Sequence, residues 1–339
     1  MIGAFVGLLS LQAVPGAAWE ERTPVEAGLR KENLEALSGL TGGRGCVVRG
    51  GRLVYSWGDI ARSADVASAV KPVISTLLLL AVHEGKLSGV DARVSAVEPR
   101  LRGKNEAITW RHLASQTSGY GLEEPPGAAY SYNDYALALY YDSLMDKVFR
   151  EPGTEVLRKR LGEVLRFQDP VTFEAFGAKD RPGRLAISVR DFARFGLLVL
   201  RGGAWGDRQV VPPGLMYLSI SAPIPADTPR TSAKDGEMIP GQRTLGGAKN
   251  ITSVGPGFYS FNWWLNGADD RGRQLFVDGP GDLVAALGHG GKRALWIFPS
   301  LDLVVAWNDA ATDDHDRSPG TPDTRLNRAV RMMAESVLK

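Results

Sequence analysis

The chain has 339 residues, of which 44% are hydrophobic and 23% are charged, as is usual for a folded protein with a sizeable core. Its 40 Lys and Arg residues nearly balance 38 Asp and Glu residues, and the net charge of +2 is spread along the chain, so nucleic acid is not an expected partner. The single cysteine, Cys46, excludes a disulfide within the chain and a zinc site built from several cysteines.

The first eighteen residues, MIGAFVGLLSLQAVPGAA, join an apolar run to small residues just before Trp19. This order is typical of a secretory signal peptide, although its charged portion is reduced to the terminal amine. The run of about 14 apolar residues is too short to cross a membrane comfortably, so no membrane span is expected beyond that leader. We therefore predict a signal peptide over residues 1–18 and a secreted or periplasmic protein, with a buried N-terminal helix as the alternative.

The first predicted elements after this leader are a helix and a hairpin. Residues 26–40 place Leu29, Leu34, Leu37 and Leu40 at helical spacing and are followed by two glycines, which predicts a surface helix that ends there. The next segment, CVVRGGRLVYSWGD, carries two runs of β-branched and aromatic residues around a Gly-Gly pair. Such a pattern predicts a β-hairpin, because glycines supply the positive φ of a tight turn.

The stretch from Ser68 to Leu87 is apolar nearly all round, which predicts a helix in the centre of the fold. Pro72 stands in its first turn, where the missing N–H costs nothing, so the helix should begin within a residue or two of Ser68. Lys71 follows Ser68 by three positions and lies on the same helical face, so its amine can reach the hydroxyl. Burial favours a neutral, proton-accepting amine, and the N–H of Ser68 at the helix start is well placed to hold an oxyanion.

Ser-x-x-Lys is by itself a weak pattern, because about one copy is expected by chance in a chain of this length. A second copy, Ser336 to Lys339, lies at the C-terminus with nothing catalytic beside it. The copy at Ser68 differs, because its lysine stands in an apolar helix, where an amine needs a partner or a function. From these residues alone, a catalytic pair and a helix-capping serine with a lysine that extends to solvent are equally good interpretations.

The remainder of the chain divides into a helical and a strand-rich part. Residues 91–244 are mostly of helical and loop character, and strand-like segments follow before a final amphipathic helix: FYSFNWWLN, RQLFVDG, ALWIFP and DLVVAWND. Strands at both ends predict an α+β fold, in which an antiparallel sheet built from N- and C-terminal segments is flanked by helices and carries an inserted, mainly helical lobe. We assign residues 19–90 and 245–339 to the sheet lobe and residues 91–244 to the helical lobe of one domain.

Two further motifs follow the serine and the lysine. The segment PPGAAYSYNDYALAL places Tyr132 and Asp134 after a Pro-Gly pair, and ALGHGGKRALWIFP places His289 before a strong strand. In this order and spacing, the three motifs resemble those of the class C β-lactamase, DD-peptidase and esterase group of serine hydrolases, the penicillin-recognising superfamily. The resemblance extends from about Trp19 to Asn308 and implies a β-lactamase/transpeptidase-like fold. It does not select a substrate, because the same scaffold carries lactamases, peptidases, esterases and amide hydrolases.

The resemblance also implies roles for individual residues. Ser68 would attack a carbonyl and form an acyl-enzyme, with Lys71 lowering the cost of removing the serine's proton. Tyr132 would pass that proton to the leaving group and then activate water. The backbone N–H groups of Ser68 and Lys292 would form the oxyanion hole, and His289 would contact the substrate or the tyrosine. Five residues are thus expected in the substrate pocket or oxyanion hole: His289, Gly290, Gly291, Lys292 and Asp134.

Asp134 departs from the group's pattern, because asparagine is usual at this position. An ionised carboxylate cannot donate a hydrogen bond, so Asp134 either pairs with Lys71 or serves a different substrate. This departure argues against efficient hydrolysis of β-lactams. In the alternative interpretation, Tyr132 packs a lobe within a cluster of tyrosines, and His289 is a structural residue of a glycine-rich turn.

We predict a serine hydrolase, related to esterases and amidases, that cleaves a small-molecule ester, amide or peptide through an acyl-enzyme on Ser68. A peptidoglycan DD-peptidase or β-lactamase is one alternative, and a catalytically silent relative that binds a ligand is another. Neither a metal nor a cofactor is predicted, because His-Glu-x-x-His, GxGxxG and Walker motifs do not occur. The sequence makes no prediction of oligomeric state.

Overall fold

The structure is a computed structural model that describes residues 13–173, 184–242, 246–249, 254–312 and 320–338. The helices in these ranges are α1 (Lys31–Thr41), α2 (Lys71–His83), α3 (Trp110–Ala114), α4 (Asp134–Asp142), α5 (Gly153–Leu157), α6 (Glu163–Leu165), α7 (Val189–Leu200), α8 (Pro213–Ser221) and α9 (Arg325–Ser336). The strands in the same ranges are β1 (Arg44–Arg49), β2 (Arg52–Trp57), β3 (Ala64–Asp65), β4 (Thr172–Phe173), β5 (Leu185–Ile187), β6 (Ala204–Trp205), β7 (Arg208–Gln209), β8 (Tyr259–Ser260), β9 (Trp263–Leu265), β10 (Val284–Gly288), β11 (Arg293–Phe298) and β12 (Leu303–Asn308). Two π-helical segments continue α4 and α5: Ser143–Phe149 and Arg158–Gly162. No helix within the described ranges is both long and apolar enough to cross a membrane.

Seven strands form one antiparallel sheet in the order β2-β1-β12-β11-β10-β9-β8. β1 and β2 come from the N-terminal part of the chain, and the other five strands come from the C-terminal part. The two parts meet where β1 pairs with β12, with Val47 opposite Val305. The helices α2 to α8 all lie between β3 and β8 in the sequence. The predicted sheet built from both termini, with a helical insertion, is therefore confirmed.

The central strands are buried on both faces, because successive side chains enter two different cores. In β12, Val304 and Ala306 pack in the core that contains α2 and α7, whereas Val305 and Trp307 pack in the core that contains α1 and α9. The helix α7 belongs by sequence to residues 91–244, yet it packs directly against β1, β11 and β12. The helical insertion and the sheet therefore share one core.

Most local predictions in the N-terminal part agree with the structure. The helix predicted over residues 26–40 begins later, at Lys31, and gives way to Gly42 with a φ of 61°. The predicted hairpin is formed by β1 and β2, with Gly50 and Gly51 at φ values of 59° and 74° in the turn. The central helix, predicted from Ser68 to Leu87, is shorter: a 3-10 turn covers Ala67–Val70, and the α-helix runs from Lys71 to His83. The local patterns thus locate these elements to within a few residues.

The prediction of a strand over RQLFVDG is wrong. The side chain of Asn266 bonds the backbone of this region instead: its Oδ1 accepts from the N–H of Phe276, and its Nδ2 donates to the carbonyl oxygens of Phe276 and Pro280. Backbone groups that are satisfied by a side chain do not need a strand partner. The sheet position beside β11 is filled by β10, which starts only at Val284.

Part of the predicted leader packs against the fold. The guanidinium of Arg194 in α7, which is 0% exposed, donates to the carbonyl oxygens of Gly16 at 3.0 Å and Ala17 at 3.3 Å. Such acceptors replace the water that a buried cation has lost. Residues 13–18 therefore contribute to the folded protein, while the signal peptide over residues 1–18 stays a prediction.

We expect a chain that begins at Trp19 to be less stable than a chain that begins at Ala13. Loss of two hydrogen bonds to a buried cation should cost about 3 kcal/mol. That loss corresponds to a fall in Tm of roughly 4 °C for a chain of this size. Thermal unfolding of both chains measures the difference, and equal Tm values would show that residues 13–18 do not stabilise the fold.

Candidate active site

Ser68 lies in a short 3-10 turn, Ala67–Val70, that leads directly into α2. Ala67 has a φ of 50°, an uncommon conformation for a residue with a Cβ, and its N–H donates to the carboxylate of Asp65 at 2.8 Å. The neighbouring side chains of the turn are buried, but Ser68 is partly exposed. The turn therefore presents the hydroxyl of Ser68 to solvent at the start of a buried helix.

Lys71 is the centre of the candidate site. It is 1% exposed, and its amine donates to Ser68 Oγ at 2.9 Å. The carboxylate of Asp134 lies 3.7 Å from the same amine, and the ring of Tyr132 covers it with its centroid at 4.4 Å. A hydroxyl, a carboxylate and an aromatic face thus surround one buried amine. The structure brings together four of the predicted site residues and shows the ion pair between Asp134 and Lys71.

The helix α4 positions two of these groups. Asp134 is its first residue, and Tyr132 lies two positions earlier. Asn133, between them, caps the helix with its Oδ1 and donates from Nδ2 to the carbonyl of Tyr120 at 2.7 Å. The middle residue of the motif is therefore structural, whereas the residues on either side of it face Lys71.

Aromatic rings line the site beside the amine. Tyr132 stacks on Trp264, with ring centroids 6.2 Å apart and planes inclined by 14°. Both rings meet the edge of Tyr259, at centroid distances of 6.2 and 4.7 Å. Trp264 is 4% exposed, and Trp263 and Trp296 are 0% exposed in the two cores, so all three tryptophans are buried. Trp264 belongs to the site because it stacks on Tyr132.

A chain of buried polar groups lies beneath Lys71 and was not predicted. Asn262, in the turn between β8 and β9 with a φ of 69°, donates to Ser75 Oγ at 2.8 Å and to the carbonyl of Lys71 at 3.4 Å. The hydroxyl of Tyr259 donates to Asn262 Oδ1 at 3.0 Å, and that of Tyr140 donates to Ser75 Oγ at 3.4 Å. Burial raises the pKa of Tyr259 well above its ordinary value, so this phenol remains a protonated donor.

The His-Gly-Gly motif forms the turn between β10 and β11, close to the serine. A Cβ atom on Gly288, the last residue of β10, would lie only 2.3 Å from a carbonyl oxygen in the segment before Ser68. Only glycine permits such a close approach. In the turn itself, His289 is exposed, whereas Gly290 and Gly291 are buried. The motif therefore borders the site through its backbone.

Lys292 uses its backbone N–H within this turn, where it donates to the carbonyl of His289 at 3.2 Å. The turn is fixed further at Gly291, whose carbonyl accepts from Trp307 Nε1 and Thr312 Oγ1, both at 2.8 Å. An N–H bonded inside a turn is a poorer donor to a developing oxyanion. The predicted oxyanion role of Lys292 therefore requires this bond to open. Within the described part of the chain, no cluster of His, Cys, Asp or Glu side chains is arranged to hold a metal ion.

Comparison with known proteins places this geometry among related folds. The family model described as Beta-lactamase matches residues 31–330. A β-lactamase from Mycobacterium bovis has a TM-score of 0.60 at 17% identity, over 90% of this chain and 100% of that one. The hydrolase EstCE1, described as having promiscuous acyltransferase activity, has a TM-score of 0.60 at 14% identity, over 88% and 98%. A class C β-lactamase from Rhodobacter sphaeroides has a TM-score of 0.55 at 16% identity, over 93% and 100%. No curated protein sequence matches.

Proposed function

Because the chain belongs to the β-lactamase family, we propose that it is a serine hydrolase that cleaves an ester or amide bond through an acyl-enzyme on Ser68. The observation that carries this proposal is the 2.9 Å contact between the buried amine of Lys71 and the hydroxyl of Ser68. The family and the solved relatives are hydrolases, which supports an enzyme over a silent binding protein.

In the proposed reaction, Ser68 Oγ forms a bond to the carbonyl carbon of the substrate. The Lys71 amine, in its neutral form, takes up the proton of Ser68, and Tyr132 passes a proton on to the leaving alcohol or amine as the scissile bond breaks. Water then attacks the acyl carbon, the bond to Oγ breaks, and Ser68 recovers its proton as the carboxylic acid leaves. Ser68 Oγ lies 2.9 Å from the Lys71 amine and the ring of Tyr132 covers the same amine, which supports this order of transfers.

An ester or amide without a carboxylate suits this site better than a β-lactam or a D-peptide does. Asp134 puts a negative charge 3.7 Å from Lys71, and this charge opposes the approach of a substrate carboxylate. The partly exposed ring of Tyr132, which stacks on the buried Trp264, offers an aromatic surface for an uncharged acyl group. Peptidoglycan DD-peptidase and β-lactamase activity are therefore the less favoured alternatives.

A labelling experiment and a substrate panel test the proposal. The folded protein should react covalently with a fluorophosphonate probe, and it should hydrolyse a short-chain p-nitrophenyl ester faster than nitrocefin or a D-amino-acid anilide. Absence of labelling in the folded protein would instead favour a silent ligand-binding relative. Faster turnover of nitrocefin than of the ester would favour a β-lactamase.

Replacement of Asp134 by asparagine should shift this preference towards β-lactams. The amide can donate a hydrogen bond and carries no charge, so the ratio of kcat/KM for nitrocefin to kcat/KM for the ester should rise about tenfold, the value of one hydrogen bond. Asp142→Asn, which removes the same charge from the opposite end of α4, should leave the ratio unchanged. An unchanged ratio in Asp134→Asn as well would contradict the proposed role of the carboxylate.

A further inference from the structure

The backbone on both sides of Tyr132 is bonded to a single residue, Gln116. The N–H of Ser131 donates to the carbonyl oxygen of Gln116 at 2.9 Å, and the N–H of Asn133 donates to its side-chain Oε1 at 2.7 Å. Tyr132 is the residue between these two N–H groups. One buried glutamine therefore holds the N–H groups of the two residues that flank the tyrosine.

Gln116 is itself held in an unusual conformation just after α3. It is 1% exposed and has a φ of 61°, a region that a residue with a side chain rarely adopts. Its N–H donates to the carbonyl of Leu113 at 3.3 Å at the end of that helix. Strain of this kind persists only where the surroundings demand it, and it is concentrated near functional sites. The conformation directs the side-chain oxygen of Gln116 at the N–H of Asn133.

The same two hydrogen bonds to Gln116 also fix the start of α4. Asn133 caps this helix, and the next residue, Asp134, faces the amine of Lys71. A shift of the peptide at Asn133 would therefore move both the ring over the amine and the carboxylate beside it. Displacements of about 1 Å in a catalytic group can lower the rate a hundredfold.

We propose that Gln116 is a positioning residue for acyl transfer, which holds Tyr132 over the amine of Lys71 through hydrogen bonds from the backbone N–H groups of the two neighbouring residues, Ser131 and Asn133. This inference rests on the proposed function, because it assigns to Tyr132 a part in proton transfer. Gln116 acts through the tyrosine and does not contact the reacting atoms.

The variant Gln116→Asn separates positioning from stability. Asparagine tolerates a positive φ better than glutamine does, but it is one methylene shorter and cannot reach the N–H of Asn133. We expect the variant to fold with a Tm close to that of the wild type, and its kcat for a p-nitrophenyl ester to fall about tenfold with KM changed less than about twofold. Gln116→Glu, which keeps an acceptor oxygen at the original reach, should recover most of the kcat. Unchanged kcat in folded Gln116→Asn would overturn the proposal.

A double-mutant cycle with Tyr132→Phe tests whether Gln116 acts through the tyrosine. If it does, Gln116→Asn should cost less than about twofold in kcat in the Tyr132→Phe background. A tenfold loss in both backgrounds would overturn this inference but leave the proposed function intact. Unchanged turnover in Tyr132→Phe alone would remove the tyrosine from the mechanism and overturn the inference with it.

Asn266→Leu provides a matched control for the loss of a buried amide. Asn266 is 0% exposed and makes several hydrogen bonds to the backbone near Phe276, which the proposed reaction does not use. Its replacement should lower Tm while kcat changes less than about twofold in the protein that remains folded. If Gln116→Asn proves unfolded, Gln116→Met takes its place in the cycle, with the same expected results.

Discussion

Replacement of Ser68 by alanine should abolish labelling by a fluorophosphonate probe and lower ester turnover by about a thousandfold or more. The acyl-enzyme requires an oxygen at this position, and the nearest basic group, the amine of Lys71, contacts that oxygen at 2.9 Å. Because Ser68 is partly exposed at the start of α2, loss of its hydroxyl should leave the fold unchanged. Labelling, steady-state turnover and thermal unfolding of the variant measure the three expected results.

The second Ser-x-x-Lys copy supplies the control. Ser336 is the last residue of α9 and is 0% exposed, with its hydroxyl donating to the carbonyl of Met333 at 2.7 Å. Ser336→Ala should therefore keep full labelling and turnover. If Ser68→Ala retained labelling and Ser336→Ala lost it, the nucleophile would not be Ser68. The lysine of this copy, Lys339, lies outside the described residues.

The sheet could be predicted because its strands carry local signals. In β11 and β12, alternate side chains enter opposite cores, which makes the interior of each segment a run of apolar residues. The segment FYSFNWWLN forms two short strands, β8 and β9, instead of one, and RQLFVDG forms none. In the first, Phe261 and Asn262 form a turn with positive φ values, and in the second, Asn266 bonds the backbone. Both departures depend on an asparagine side chain that bonds residues outside its own neighbourhood: Asn262 bonds Ser75, and Asn266 bonds Phe276.

The same limit applies to the candidate site. Ser68 and Lys71 could be paired from helical spacing alone, and the two choices for Asp134 included the ion pair that the structure shows. Asn262, in contrast, meets the carbonyl of Lys71 across 191 residues of chain. Gln116 lies in connecting sequence that has no catalytic signature. Residues that position a site through buried hydrogen bonds become visible only when tertiary packing is known.

Replacement of Lys71 by arginine should lower ester turnover by about a hundredfold or more, because arginine keeps its charge near neutral pH and cannot accept the proton of Ser68. A guanidinium can still pair with the carboxylate of Asp134 and lie against the ring of Tyr132. The substitution therefore preserves the positive charge and its contacts, which a purely structural lysine would supply. It removes the proton-accepting amine, which a catalytic base would supply. Steady-state kinetics with the p-nitrophenyl ester, alongside thermal unfolding, measures the two effects.

Lys71→Met distinguishes loss of proton transfer from loss of the buried ion pair. Methionine has a similar length but leaves the carboxylate of Asp134 without its cation, so this variant should be less stable than Lys71→Arg. Both variants should nevertheless show the same order of loss in kcat, since neither can take up the proton from Ser68. Turnover of Lys71→Arg within a few-fold of the wild type, together with a strong loss in Lys71→Met, would mean that the site needs only a positive charge. In that case the proton of Ser68 would have to pass to another group, and Tyr132, whose ring lies 4.4 Å from the amine, would be the first candidate.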